Sequence, residues 1–179
     1  MTLFHRFGAL VTCALITLLP IARPADAAQD DLLAWRNAKS LPELVAHLET
    51  WLDANTDLQR RAAAPTIEWV SPAKAAYLQG GAQAAKAETT RGLYDPDTQA
   101  IYLVQPWSAR DPFDVSVLLH ELVHHRQNGG GHWYCPGAQE LDAYRTQDAW
   151  LAELGLEANV NWIAVILEAG CTPRDIHPD

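Results

Sequence analysis

The stretch from Asp111 to Gln127 constrains this chain more than any other, because it reads as a helix buried over most of its surface. Asp111 has the side chain of an N-cap, and Pro112 stands at the first helical position, where proline is best tolerated. Val117, Leu118, Leu119, Leu122 and Val123 then put apolar side chains around the axis. After Gln127, Asn128-Gly129-Gly130-Gly131 cannot continue the helix. Into this apolar cylinder the sequence sets His120, Glu121 and His124. His120 and His124 stand one turn apart on the same face, so two imidazoles can aim at one metal ion. Glu121 lies about a third of a turn from His120, beside the place where a water on that ion would sit. A buried helix has little structural use for three such polar groups. A metal site with a general base beside it uses all of them.

Two histidines alone bind zinc poorly, and a catalytic site uses three protein ligands plus an open position. A further helix is expected to begin near Ala138, carrying Glu140, Leu141, Ala143, Tyr144, Gln147, Trp150, Leu151 and Leu154, with Gly155 as its stop. Glu140 falls in its first turn, and the short connection keeps that turn close to the His124 end of the first helix. Asp142 points to another side of the same helix, and Cys135, His132 and Glu153 are further candidates for the third ligand. The metzincin pattern is excluded. Gln127 and Gly130 occupy the places of its Gly and third His, and Met1 is the only methionine, so no Met-turn exists.

His120-Glu121-x-x-His124 with Glu140-Leu141-Asp142-Ala143 resembles the gluzincin metallopeptidases, in which a second helix offers Glu-x-x-Ala or Glu-x-x-Asp to the metal. The resemblance covers residues 92–155. It implies that His120, His124 and Glu140 hold one Zn2+ per chain and that Glu121 is the base. More narrowly, the chain resembles small exported bacterial zincin-like proteins with a His-His-x-Gln extension and a Cys ahead of the glutamate helix. It departs from large gluzincins in lacking a substantial second lobe, which argues against an extended groove with many subsites.

The chemistry expected of such a site is hydrolysis of an amide bond in a peptide or protein. Zinc would lower the pKa of bound water to about 7, and Glu121 would take the proton. Tyr144, one turn beyond Glu140, is the first choice for stabilising the oxyanion, with His132, Tyr134 and Arg145 as alternatives. His125 and Gln127 are candidates to orient the ligands. The competing reading is an exported zinc-containing binding or interaction domain without turnover. An intact Glu121 speaks against it, since a purely structural site needs no base.

The N-terminus places this chemistry outside the cytoplasm. His5 and Arg6 precede an apolar run from Gly8 to Leu19, and Ala25-Asp26-Ala27 offers a small-x-small cleavage site, so residues 1–27 read as a signal peptide. Residues 28–179 then form a single domain of 152 residues, enough for a proper core. Cleavage removes Arg6, Arg23 and Asp26 and takes the formal charge from −9 to −10, an acidic balance that argues against nucleic acid or an anionic membrane as partner of the mature form. Cys13 leaves with the signal. Cys135 and Cys171 remain, and in a periplasmic or extracellular compartment such a pair is expected to form one disulfide.

The remaining chain predicts an α+β fold: a mostly helical, zincin-like minimal domain with a small antiparallel sheet or hairpin ahead of the metal-binding helix. A short helix is expected over 30–38. A longer one follows Ser40-Leu41-Pro42-Glu43, which has capping-box spacing, with Leu41, Leu44, Val45, Leu48, Trp51 and Leu52 on one face and an end near residues 53–57. Residues 65–70 read as a strand. Ser71-Pro72 opens a helix that Gly80-Gly81 ends, and residues 82–91 read as a surface connection. Residues 92–94 and 99–104 flank Asp95-Pro96-Asp97-Thr98 as a hairpin, and the strand just ahead of the metal helix is a candidate edge for an extended peptide. Residues 161–169 form a last, very apolar helix.

Overall fold

The computed structural model describes residues 33–80, 90–130, 133–135 and 137–171. The expected signal segment, the start of the helix expected over 30–38, nearly all of the 82–91 connection and His132 lie outside the described residues. Among the described residues the architecture is α+β, with five α-helices around one three-stranded sheet.

Of the first expected helix only a 3-10 turn, Ala34–Asn37, is seen. Ala38 leaves the helical region at ψ 124°, and Ser40, extended, caps the next helix by receiving the Glu43 N–H on its Oγ at 3.4 Å. Glu43 reaches back beyond the cap to accept from Lys39 N at 2.8 Å. Helix α1 (Leu41–Asn55) buries Leu44, Leu48 and Leu52, the expected stripe.

Strand β1 (Thr66–Val70) leads into the short helix α2 (Pro72–Leu78), whose cap is Ser71. Gly80 ends it with φ +90°, a conformation glycine adopts without a steric cost. Strands β2 (Gly92–Asp95) and β3 (Ala100–Val104) form the expected antiparallel hairpin, Leu93 opposite Tyr102. The Asp95 carboxylate fastens its turn by accepting from Asp97 N at 3.0 Å and from Thr98 Oγ1 at 2.7 Å.

The sheet order is β1-β3-β2, and it is mixed rather than wholly antiparallel. β1 runs parallel to β3, with Ile67 opposite Ile101, because the chain crosses through α2 before it returns. The expected peptide edge is thereby corrected. β3, just ahead of the helix that carries His120 and His124, is paired on both sides, and among the described residues the free edges belong to β1 and β2.

Helix α3 (Pro112–Gln127) starts where expected, with Asp111 accepting from Phe113 N at 2.8 Å, and is buried on nearly every side. Leu118, Leu119, Leu122 and Val123 share one core with the α1 leucines, Ile101 and Leu103 of β3, and Trp150 and Leu151 of helix α4 (Gly137–Glu153). Arg126, 1% exposed, ties α3 to α1: its Nε donates to Glu49 Oε2 at 2.9 Å, and its Nη2 donates to the Glu49 carbonyl at 2.8 Å and to Asp53 Oδ1 at 2.7 Å. Helix α5 (Trp162–Ala169) packs on α4. The Cys135–Cys171 disulfide joins the segment ahead of α4 to the end of α5. Gly137 makes that joint possible, because the carbonyl of Glu168 occupies the space a Cβ would need. No described helix is long and apolar enough to cross a membrane.

Candidate metal centre

The site forms where α3 and α4 lie side by side. His120 and His124, one turn apart, bring their Nε2 atoms to 3.0 Å from each other. From the first turn of α4, Glu140 sets one carboxylate oxygen 3.3 Å from His120 Nε2 and the other 3.5 Å from His124 Nε2. These three residues are a group that could hold a metal ion. Ligand atoms about 2.0–2.2 Å from a tetrahedral ion stand about 3.3–3.6 Å apart, close to the separations seen. Both imidazoles are buried, while the Glu140 side chain is 32% exposed, so the centre opens to solvent on the α4 side.

The donor character of the two histidines follows from hydrogen bonds that end on backbone carbonyls. Gln127 Nε2 donates to the carbonyl of Gln139 at 3.0 Å, which turns Gln127 Oε1 toward His124 Nδ1 at 2.8 Å. An amide oxygen only accepts, so His124 carries a proton on Nδ1, and Nε2 is the nitrogen turned toward His120 and Glu140, where an ion would bind. A longer relay does the same for His120. The Ser116 hydroxyl donates to the carbonyl of Phe113 at 2.7 Å and accepts from Gln147 Nε2 at 2.9 Å, so Gln147 presents Oε1 to His120 Nδ1 at 3.2 Å.

Glu121 is 5% exposed and stands outside the donor set. Among the described residues no hydrogen bond reaches its carboxylate. Burial pushes its carboxyl up, against the pull of the His120 and His124 charges, with Glu140 adding to the rise. For Glu140 burial also works upward, but hydrogen bonds and charge from both histidines prevail and hold it far below the ordinary carboxylate value. His124 is pushed down by burial and, more strongly in sum, up by Glu140 and Glu121. Gly92 of β2 makes room for Glu121: a Cβ there would lie 2.6 Å from Glu121 Oε1 and 2.7 Å from Val117 Cγ1.

Tyr144 meets the site edge-on, its ring centroid 4.5 Å from that of His120. Burial, with the charges of Glu140, Glu121 and Glu168, pushes its phenol up to about 12, so it keeps its proton at neutral pH.

The other sequence candidates fall elsewhere. Asp142 is exposed and lies 3.9 Å from the exposed Arg145, Glu153 accepts from Trp51 Nε1 at 2.9 Å, and Cys135 is consumed by the disulfide. Tyr134 is 69% exposed. Gln127 hydrogen-bonds His124, the contact a ligand-orienting residue would make, whereas His125 bonds elsewhere. Its Nε2 donates to the carbonyl of Ala63 at 2.9 Å and its Nδ1 accepts from Tyr94 Oη at 3.2 Å, on the sheet side of α3. Sequence reasoning missed Ser116, Gln147 and Gly92. Ser116 and Gln147 stand at i−4 from His120 and i+7 from Glu140, helix-face spacings that could have drawn attention to both.

No curated protein and no solved structure matches the chain. Residues 37–179, which include every member of the centre, match a family described as a domain of unknown function, and the chain belongs to that family, DUF6647.

Proposed function

We propose that the protein is an exported zinc-dependent metallopeptidase of the gluzincin kind, acting on a peptide or protein in the periplasm or outside the cell. His120, His124 and Glu140 would hold the zinc. The carrying observation is Glu121, a buried carboxylate beside three converging donors that is not itself one of them. A structural metal site has no use for it; a hydrolytic site needs a base there. Export is supported by the disulfide together with the signal-like N-terminus.

When bound, zinc supplies a Lewis acid that polarises the scissile carbonyl and acidifies water. Glu121 accepts the proton of the attacking water, whose oxygen bonds to the carbonyl carbon while the C=O electron pair moves onto oxygen. The Tyr144 hydroxyl, still protonated, donates to that oxygen. Glu121 then hands its proton to the amide nitrogen as the C–N bond breaks. Raised above the ordinary carboxylate range by burial, Glu121 is a stronger base toward the water proton, and the carboxylic acid so formed can pass that proton to nitrogen.

The test is cleavage of a mixed peptide library by the mature protein, followed by mass spectrometry. Cleavage that a chelator abolishes and zinc restores is expected. Cleavage indifferent to both would contradict the reading, and a zinc-loaded but inert protein would favour a binding domain. Tyr144→Phe is expected to lower kcat by about 10²-fold with little change in zinc affinity, the usual cost of one lost oxyanion donor.

A further inference from the structure

We propose that Gln147 and Gln127 are positioning residues that fix the tautomers of His120 and His124, and that the metal affinity of the site depends on these two amides rather than on carboxylates. The proposal rests on the metal-site reading above, but its physical basis is the pair of hydrogen-bond chains. Each glutamine is oriented from outside the site: Gln127 by the Gln139 carbonyl, Gln147 by a serine whose own proton is committed to the Phe113 carbonyl. Each therefore shows its histidine an acceptor that cannot donate, and each histidine answers with Nδ1–H.

The choice of amide over carboxylate has a chemical consequence. A carboxylate partner makes imidazole a more basic ligand and adds negative charge next to the ion. A neutral amide fixes the ring without that charge. The ligand set then carries one formal negative charge, on Glu140, and the ion keeps more of its electrophilic character. Gln147 is buried, and the Ser116 hydroxyl and His120 Nδ1 take up its amide nitrogen and oxygen, so the relay runs from the α3 backbone through α4 and back to α3.

Two readouts on the full mature chain test this. Zinc affinity, by competition with a chromophoric chelator, is expected to weaken about 10- to 100-fold in Gln147→Leu and in Gln127→Leu, the range usual for lost outer partners of metal-bound histidine. Gln147→Glu, which restores an acceptor, is expected to bind zinc at least as tightly as wild type. Imidazole N–H NMR correlations, recorded with and without zinc, should show two exchange-protected Nδ1–H groups in wild type. That of His120 should be lost only in Gln147→Leu, and that of His124 only in Gln127→Leu. Wild-type zinc affinity and both protected N–H groups in the leucine variants would overturn the proposal. So would a Gln147→Glu variant as weak as Gln147→Leu while folding normally by circular dichroism. A wild-type chain that binds no zinc, yet whose N–H groups follow their glutamines, would sink the peptidase reading and still support the tautomer assignment.

Discussion

At the scale of single residues, the site is defined as much by what is left out as by what is present. Gly92 matters because it has no side chain: its neighbour is the carboxylate of Glu121, and any Cβ would push it aside. Gly92→Ala is therefore expected to lower kcat/KM by about 10²-fold, the order of effect that a displaced catalytic group produces, while zinc content stays at wild-type level. Side-by-side kinetics and metal analysis check this. The electrostatics give a pH dependence with a definite sign. His124 is pushed down by burial but raised in sum by Glu140 and Glu121, so in the metal-free protein its second proton is held to a higher pH than on an ordinary histidine and must leave before Nε2 can take an ion. Zinc affinity is thus expected to fall as pH drops through that raised value, by about tenfold per pH unit for one displaced proton, and to level off above it. Chelator competition across a pH series, with calorimetry in two buffers to count released protons, measures it.

At the scale of elements, α3 carries a different task on each side. His120 and His124 meet α4, His125 holds the Ala63 carbonyl and the Tyr94 hydroxyl, and Arg126 is locked to Glu49 and Asp53 of α1. Arg126→Ala is expected to destabilise the fold by about 3 kcal/mol in urea unfolding, since Glu49 stays buried and among the described residues keeps only Arg60, 3.5 Å away, as a salt-bridge partner. The disulfide acts on the other helix pair. It closes a sequence separation of 36 residues around α4 and α5, and its loss in Cys171→Ala is expected to cost about 4 kcal/mol by the chain-entropy argument. Because Cys135 lies only five residues ahead of Glu140, zinc affinity should drop in the same variant.

At the scale of the whole molecule, the parts legible in the sequence were those written locally. Asp111-Pro112 set the start of α3, helical spacing paired His120 with His124, and chain connectivity put Glu140 near them. What stayed hidden depended on how elements meet. Gln147 reaches His120 across 27 residues of sequence, and although its spacing puts it on the Glu140 face of α4, its partner is fixed only by the way α3 and α4 cross. A helix buried all round has no polar stripe to say which neighbour His125 or Arg126 faces. The parallel placement of β1 beside β3 was likewise invisible, because an apolar run on a central strand does not encode the direction of its partner.

In the proposed site a metal centre and a separate base act together, and one substitution divides them. Glu121→Gln keeps the size of the side chain and removes its capacity to take a proton. Zinc content and peptide hydrolysis should be measured on wild type and variant from the same preparation. Equal zinc, unchanged peptide binding and a loss of kcat by orders of magnitude is the expected result. Equal hydrolysis by both proteins would contradict that division of roles, since water would then be activated without the residue proposed as its base.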